Sequence, residues 1–137
     1  MRKTFEQKLD EVTEDVIVLG ILVQNTVNDA INSLINGDVE LAQKVIDSDD
    51  KIDDYDVLIE QKCMFIQAEH QPVAKDLRLI HSIYIIIIYL ERIGDICVSI
   101  GKLTGGFIWR RRNKSGKKLW IYLSKWEVLS KPCLIKL

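Results

Sequence analysis

Phe5, Leu9, Val12, Val16, Leu19 and Val23 follow one another at steps of four and three residues, the spacing that lines apolar side chains along one face of an α-helix. This stripe predicts a first helix running to about Asn36. A helix of about 30 residues is a rod of roughly 45 Å at 1.5 Å rise per residue, and it must bury its stripe against other rods. Asn36-Gly37 then supplies a left-handed stop and Asp38 an N-cap. Beyond them Ala42, Val45, Ile52, Ile59, Cys63 and Ile66 keep helical spacing toward His70. So short a connection implies an antiparallel helical hairpin.

Gln71-Pro72 interrupts the second helix. Pro72 suits the first turn of a third helix, where proline's missing N–H is an orphan donor anyway, and that helix is expected to reach about Leu103. Its segment Ile-Tyr-Ile-Ile-Ile-Ile-Tyr (83–89) is β-prone by composition, but the length and pattern of its flanks favour a helix. Four consecutive isoleucines, Ile85 to Ile88, reach every helix face, so this helix is central or meets a partner. The fold expected is all-α, a long antiparallel three-helix bundle. About 100 residues bury a small core, and the isoleucine excess points to a homo-oligomer.

Two carboxylate pairs stand at helical spacing on that framework, Asp49/Asp53 in Asp-Asp-Lys-Ile-Asp and Glu91/Asp95 in Leu-Glu-Arg-Ile-Gly-Asp. Acids four residues apart repel by a few tenths of a kcal/mol, roughly, on a helix surface. A hard cation bridging their oxygens reverses that sign, so Asp49, Asp53, Glu91 and Asp95 are the candidate metal ligands, with Asp56 and Glu60 extending the same face. The competing reading is a solvated acidic face neutralised by Lys51 and Arg92 as surface ion pairs. Oxygen-rich ligands accept Mg, Ca, Mn or iron, with selectivity set by geometry.

Cys63, Cys97 and Cys133 are odd in number and lack Cys-x-x-Cys spacing, which disfavours a disulfide framework and a zinc knuckle and favours a reducing compartment. The charged opening Met-Arg-Lys-Thr-Phe lacks the hydrophobic region of a signal peptide. Leu79 to Leu90 holds about a dozen nearly apolar residues, whereas a membrane span needs roughly 20. The expected location is the cytoplasm. Neither histidine stands at motif spacing to a cysteine, no glycine-rich phosphate loop precedes a helix, and His70 and His81 lack the Glu-x-x-His spacing of di-iron bundles. The residues therefore offer no catalytic group. His70 reads as a helix C-terminal residue, Arg78 as the partner of an acid on a neighbouring helix, and Gly94 as a close contact between helices.

The net charge of −1 conceals two compositions: residues 1–103 carry 10 Lys/Arg against 19 Asp/Glu, and residues 104–137 carry 9 against 1. All three tryptophans lie after Gly105-Gly106, beside the basic run 110–118. The expected division is a helical unit, 1–106, and an irregular basic tail, 107–137. Such a tail is either a solvated extension, a nucleic-acid or membrane contact, or an out-of-frame reading of a longer gene.

Gln-Pro-Val-Ala-Lys-Asp-Leu-Arg (71–78) followed by Leu-Glu-Arg-Ile-Gly-Asp (90–95) resembles the repeat of the PhoU family of phosphate-signalling proteins, and the opening Met-Arg-Lys-Thr-Phe and Asp-Ser-Asp-Asp-Lys-Ile-Asp (47–53) are similar to that repeat as well. The resemblance covers about residues 1–104. It implies one of the two three-helix repeats from which family members are built. It further implies a non-enzymatic regulator that holds down phosphate uptake and phosphate-starvation signalling, acting between a phosphate ABC transporter ATPase and a sensor histidine kinase. By resemblance the acid pairs bind iron, zinc or other divalent ions. The chain departs from the family pattern at Ser99, where asparagine is usual, at Gly101, where alanine is usual, and in lacking a second repeat. The alternatives implied are a non-functional half of such a regulator, or a helical scaffold whose tail binds nucleic acid.

Overall fold

A computed structural model describes residues 2–111, with side chains over 4–106. Four helices follow in order: α1 Arg2–Asn36, α2 Val39–Asp47, α3 Asp49–His70 and α4 Ala74–Arg111. No strand occurs among the described residues. The α2–α3 arm runs antiparallel to both α1 and α4, which completes the expected three-rod bundle. The expected tail falls mostly outside the described residues, although α4 continues through Gly105-Gly106 and past the expected end at Leu103.

The first turn forms as the sequence dictates. Gly37 adopts φ 65°, and the Asp38 N–H donates to Ser33 O at 2.9 Å, closing a Schellman-type helix end that a glycine best tolerates. The Asp38 side chain accepts from Leu41 N at 3.0 Å as the α2 N-cap.

The second rod is not continuous, as expected from its spacing, but breaks at Ser48. The Ser48 hydroxyl donates to Val45 O at 2.7 Å, and its N–H reaches both Lys44 O and Val45 O. A serine that bonds back to its own turn competes with the regular ladder. The bend lets α2 pack onto α1 and α4 separately from α3. Pro72 is displaced too: it precedes α4 rather than opening it, because Gln71 turns left-handed at φ 43° and Val73 O accepts from Asp76 N at 2.9 Å.

The main core joins Leu9, Val12, Leu19 and Val23 of α1 to Ile52, Ile59, Cys63 and Ile66 of α3 and Ile80, Ile83 and Ile87 of α4, with Phe5 and Val16 at its margin. A smaller cluster of Ala30, Val45 and Cys97 lies under α2. Two glycines set how closely α4 approaches. A Cβ on Gly94 would stand 3.0 Å from Ile52 Cδ1, and one on Gly101 would stand 3.0 Å from the Ala42 carbonyl oxygen. Gly101 thus offsets its unfavourable helix propensity by admitting α2 against α4.

Candidate metal centre

The four sequence-designated acids lie along one seam between α3 and α4. Asp49 and Asp53 stand on the first turns of α3, Glu91 and Asp95 in the middle of α4. The close contact at Gly94 holds the two helices together at this level: its missing Cβ would be 3.9 Å from Asp49 Oδ1. A bulkier residue there would separate the carboxylates.

Each partly buried acid feels the others. Burial, then the charges of Asp53, Asp95 and Asp50, push the Asp49 carboxyl above its ordinary range, with Lys102 opposing weakly. Burial followed by Asp56, Asp95 and Asp53 does the same to Glu91, against Arg92. Asp56 is raised by burial, Glu60 and Asp53. These shifts follow from the partial burial of Asp49, Asp56 and Glu91 beside like charges, while Asp53 and Asp95 stay exposed. Asp49 Oδ1 and Asp56 Oδ1 are buried oxygens with no hydrogen-bond partner, an arrangement that costs stability unless something else neutralises it.

Asp56 is the member that four-residue spacing underrated. It lies two helical turns from Asp49, about 10.5 Å along the axis at 1.5 Å per residue, on the edge of the Ile52–Ile59 core seam. The signal available in the sequence was that seam: an acid seven residues from another, beside the buried stripe, is drawn into the helix interface.

Among the described residues no base forms an ion pair with the acid seam, although Lys102 and Arg92 oppose its charge from farther off. Ion pairs among the described residues join Lys8 to Glu69, Lys62 to Asp15 at 2.6 Å and Lys44 to Asp29 at 4.0 Å, with His70 beside Glu69. Lys51 and Arg92 form none with the acid seam. Arg78 is exposed and among the described residues pairs with no acid, contrary to its expected structural role, because its position on α4 lies outside the stripe that meets the other helices. Ser99, four residues after Asp95, donates its hydroxyl to Asp95 O at 3.0 Å and so serves its own helix.

The donor set is chemically apt for a hard cation: carboxylate oxygens, no sulfur, no imidazole. Among the described residues, however, no three of them converge closely enough to form a coordination sphere. The seam brings the charges together and stops short of assembling the ligands.

The PhoU domain family model matches residues 16–104, and the chain belongs to the PhoU family, which is non-enzymatic. It is 46% identical over 91 residues to the phosphate-specific transport system accessory protein PhoU homolog of Pseudomonas aeruginosa, covering 66% of this chain and 38% of that protein. It is 38% identical over 96 residues to the accessory protein PhoU of Escherichia coli, covering 70% of this chain and 40% of that protein. The crystal structure of PhoU from Pseudomonas aeruginosa superposes with a TM-score of 0.79 at 36% identity, over 88% of this chain and 56% of that one. The chain therefore spans about two fifths of the length of these curated relatives.

Proposed function

We propose that this chain is a cytoplasmic regulator of phosphate homeostasis that binds a divalent or iron-type metal ion at the α3/α4 seam and acts through protein contacts. The observation that supports the metal reading is the buried, unpartnered oxygen of Asp49, beside the charges of Asp53 and Asp95 that also act on Glu91. A bound cation would neutralise these charges and fix the spacing of α3 and α4. Asp49, Asp53, Glu91 and Asp95 would hold it, their side chains moving to converge on the ion.

The regulatory part rests on family membership and on the names of the relatives as accessory proteins of a phosphate-specific transport system. The partners in this reading are a phosphate-sensing histidine kinase and the transporter ATPase, and the effect is negative, on both uptake and starvation signalling. A cytoplasmic site accords with the absence, among the described residues, of any helix long and apolar enough to cross a membrane.

Two experiments test the two parts. Elemental analysis after dialysis against Mn, Fe, Zn, Mg or Ca should find bound ion in the parent chain, and Asp53→Ala or Asp95→Ala should remove it while the helical circular dichroism is retained. No ion on the parent would refute the metal reading. Expression in a bacterium lacking its own regulator should lower a phosphate-starvation reporter in phosphate-rich medium; a reporter left fully on would refute the regulatory one.

A further inference from the structure

Exposed apolar residues continue the line of the acid seam along the outside of α3 and α4. On α3 the positions Asp53, Val57, Glu60 and Met64 share one flank, and on α4 the positions Leu77, Tyr84, Ile88, Glu91 and Asp95 share another. The Tyr84 hydroxyl donates to Glu60 O at 3.5 Å, so the two flanks adjoin as the walls of one groove. Val57, Met64, Leu77 and Ile88 are 45% to 58% exposed in it.

The groove has a direction. α3 runs antiparallel to α4, with Ile52 and Asp49 against Gly94 and Glu60 against Tyr84. From the Arg111 end of α4, therefore, the acids come first and the apolar residues after them. At 1.5 Å per residue Asp95 and Glu91 lie about 24 and 30 Å from Arg111, and Ile88 and Leu77 about 35 and 51 Å. Residues 112–137 carry the complementary order. Arg112, Lys114, Lys117 and Lys118 come first, followed by Leu119-Trp120-Ile121-Tyr122-Leu123 and Trp126. Laid back along the groove at roughly 3.3 Å per residue, Lys117 and Lys118 come level with Asp95, Ile121 to Leu123 with Ile88, and Trp126 with Leu77. A reversal of two or three residues shifts this register by about 10 Å and leaves the order intact.

We infer that residues 112–137 dock in cis along the α3/α4 groove, their bases on the acids and their aromatic residues on the apolar half. The charges are complementary: residues 1–103 carry 19 Asp/Glu against 10 Lys/Arg, and residues 104–137 carry 1 against 9. The buried oxygens of Asp49 and Asp56 lack hydrogen-bond partners, and lysine and arginine side chains are the donors such oxygens take most strongly. The flank of α1 that carries Asp10, Glu14, Ile17 and Ile21 fits less well. The 3.5 Å approach of the Ser33 and Thr104 hydroxyls sets α1 parallel to α4, so a segment returning from Arg111 meets Ile21 and Ile17 there before any acid, the reverse of its own order. The inference needs no bound ion. Where a cation does bind the seam, the same acids serve both, and the two compete.

All three tryptophans, Trp109, Trp120 and Trp126, lie within 107–137, so the tryptophan fluorescence of the full chain reports on this segment alone. In chelator and low salt, acrylamide should quench the parent about twofold less than the urea-unfolded chain, because docked rings are covered. About 0.5 M salt should relieve part of that protection. Asp95→Lys in the acid half and Ile88→Glu in the apolar half should each return quenching toward the unfolded value, with helical circular dichroism retained. Phe65→Glu, on the flank of α3 that faces α1, should leave the protection intact. Tethering makes the contact intramolecular, so protection should hold over a roughly hundredfold range of protein concentration. A parent quenched as freely as the unfolded chain overturns the inference, as does protection indifferent to Asp95→Lys or to Ile88→Glu. Protection that grows with protein concentration, or that arises only on adding single-stranded DNA or anionic lipid vesicles, overturns it as well.

Discussion

Replacing Asp49 by asparagine should raise the stability of the metal-free chain and lower that of the metal-loaded one. In the absence of ion, Asp49 is a partly buried carboxylate facing Asp53, Asp95 and Asp50, with one oxygen unpartnered. Each such like-charge contact costs a few tenths of a kcal/mol. Discounted for solvent screening, their removal is worth about 0.5–1 kcal/mol, or about 2–6 °C in Tm for a domain of this size. The amide can also donate to a neighbouring carboxylate, which Asp49 cannot. With an ion at 100 times its Kd, binding stabilises the parent by about 2.7 kcal/mol, and a variant lacking one ligand forfeits much of that. Thermal melts followed by circular dichroism, in EDTA and then in excess metal, should therefore place the variant above the parent in the first and below it in the second. Asp54→Asn, on an exposed position of the same helix, should track the parent in both. A variant that melts below the parent in EDTA would show that Asp49 makes a favourable contact, and the repulsion argument would be wrong.

Further outcomes follow from other parts of the molecule. Asp49, Asp56 and Glu91 all have raised folded-state pKa values, so the folded chain holds protons that the unfolded chain releases. Metal-free stability should then fall as pH rises above the ordinary carboxylate values of 3.8 and 4.5, the reverse of the trend for a salt-bridged acid, and saturating metal should flatten that slope. Burial pushes the Cys63 thiol up to about 11 and Cys97 upward as well; peptide mass spectrometry should find both unalkylated by iodoacetamide at pH 8 until denaturant is added. Gly101→Ala would drive a methyl against the Ala42 carbonyl oxygen and should cost about 1–3 kcal/mol in a denaturant melt, whereas Gly105→Ala, which meets nothing within 4 Å, should gain about 0.5–1 kcal/mol. Gln71→Gly should stabilise by about 1 kcal/mol, because the left-handed φ of 43° is strained for any residue with a Cβ; an unchanged midpoint would count against that strain.

The parts of the fold that were legible are those governed by periodicity and by turn chemistry. The stripe from Phe5 to Val23 names the buried face of α1, and Asn36-Gly37-Asp38 names its end, because both signals are local. The break at Ser48 was hidden for a physical reason: its backbone stays at φ −75°, ψ −13°, so no glycine or proline marks it, and only the docking of α2 onto α4 selects the bent form. The end at Gln71 was likewise disguised, since a residue other than glycine adopts the left-handed turn there. The acid seam was legible as far as its members. Which acids lose water was not, because Asp56 owes its burial to the depth at which α3 sits against α4, and that depth is set by Gly94 on the other helix.

The isoleucine-rich stretch of α4 shows most clearly what a sequence leaves open. Positions 83 to 89 offer two apolar stripes one residue apart, and both have the heptad spacing that a helical bundle can bury. Propensity and hydropathy are nearly equal for the two. The choice is made elsewhere, by Gly94, Cys97, Gly101 and Thr104, whose small side chains let α3 and α2 come close along the first stripe only. Ile87 is therefore buried while Ile86 and Ile88 stay nearly half exposed. Had selection acted on the three-helix unit alone, polar residues at Ile86, Tyr89, Ile93 and Ile96 would have cost the core nothing and improved solubility. The second stripe, Ile86, Tyr89, Ile93 and Ile96, is thus apolar for no reason that the packing of α1 to α4 supplies.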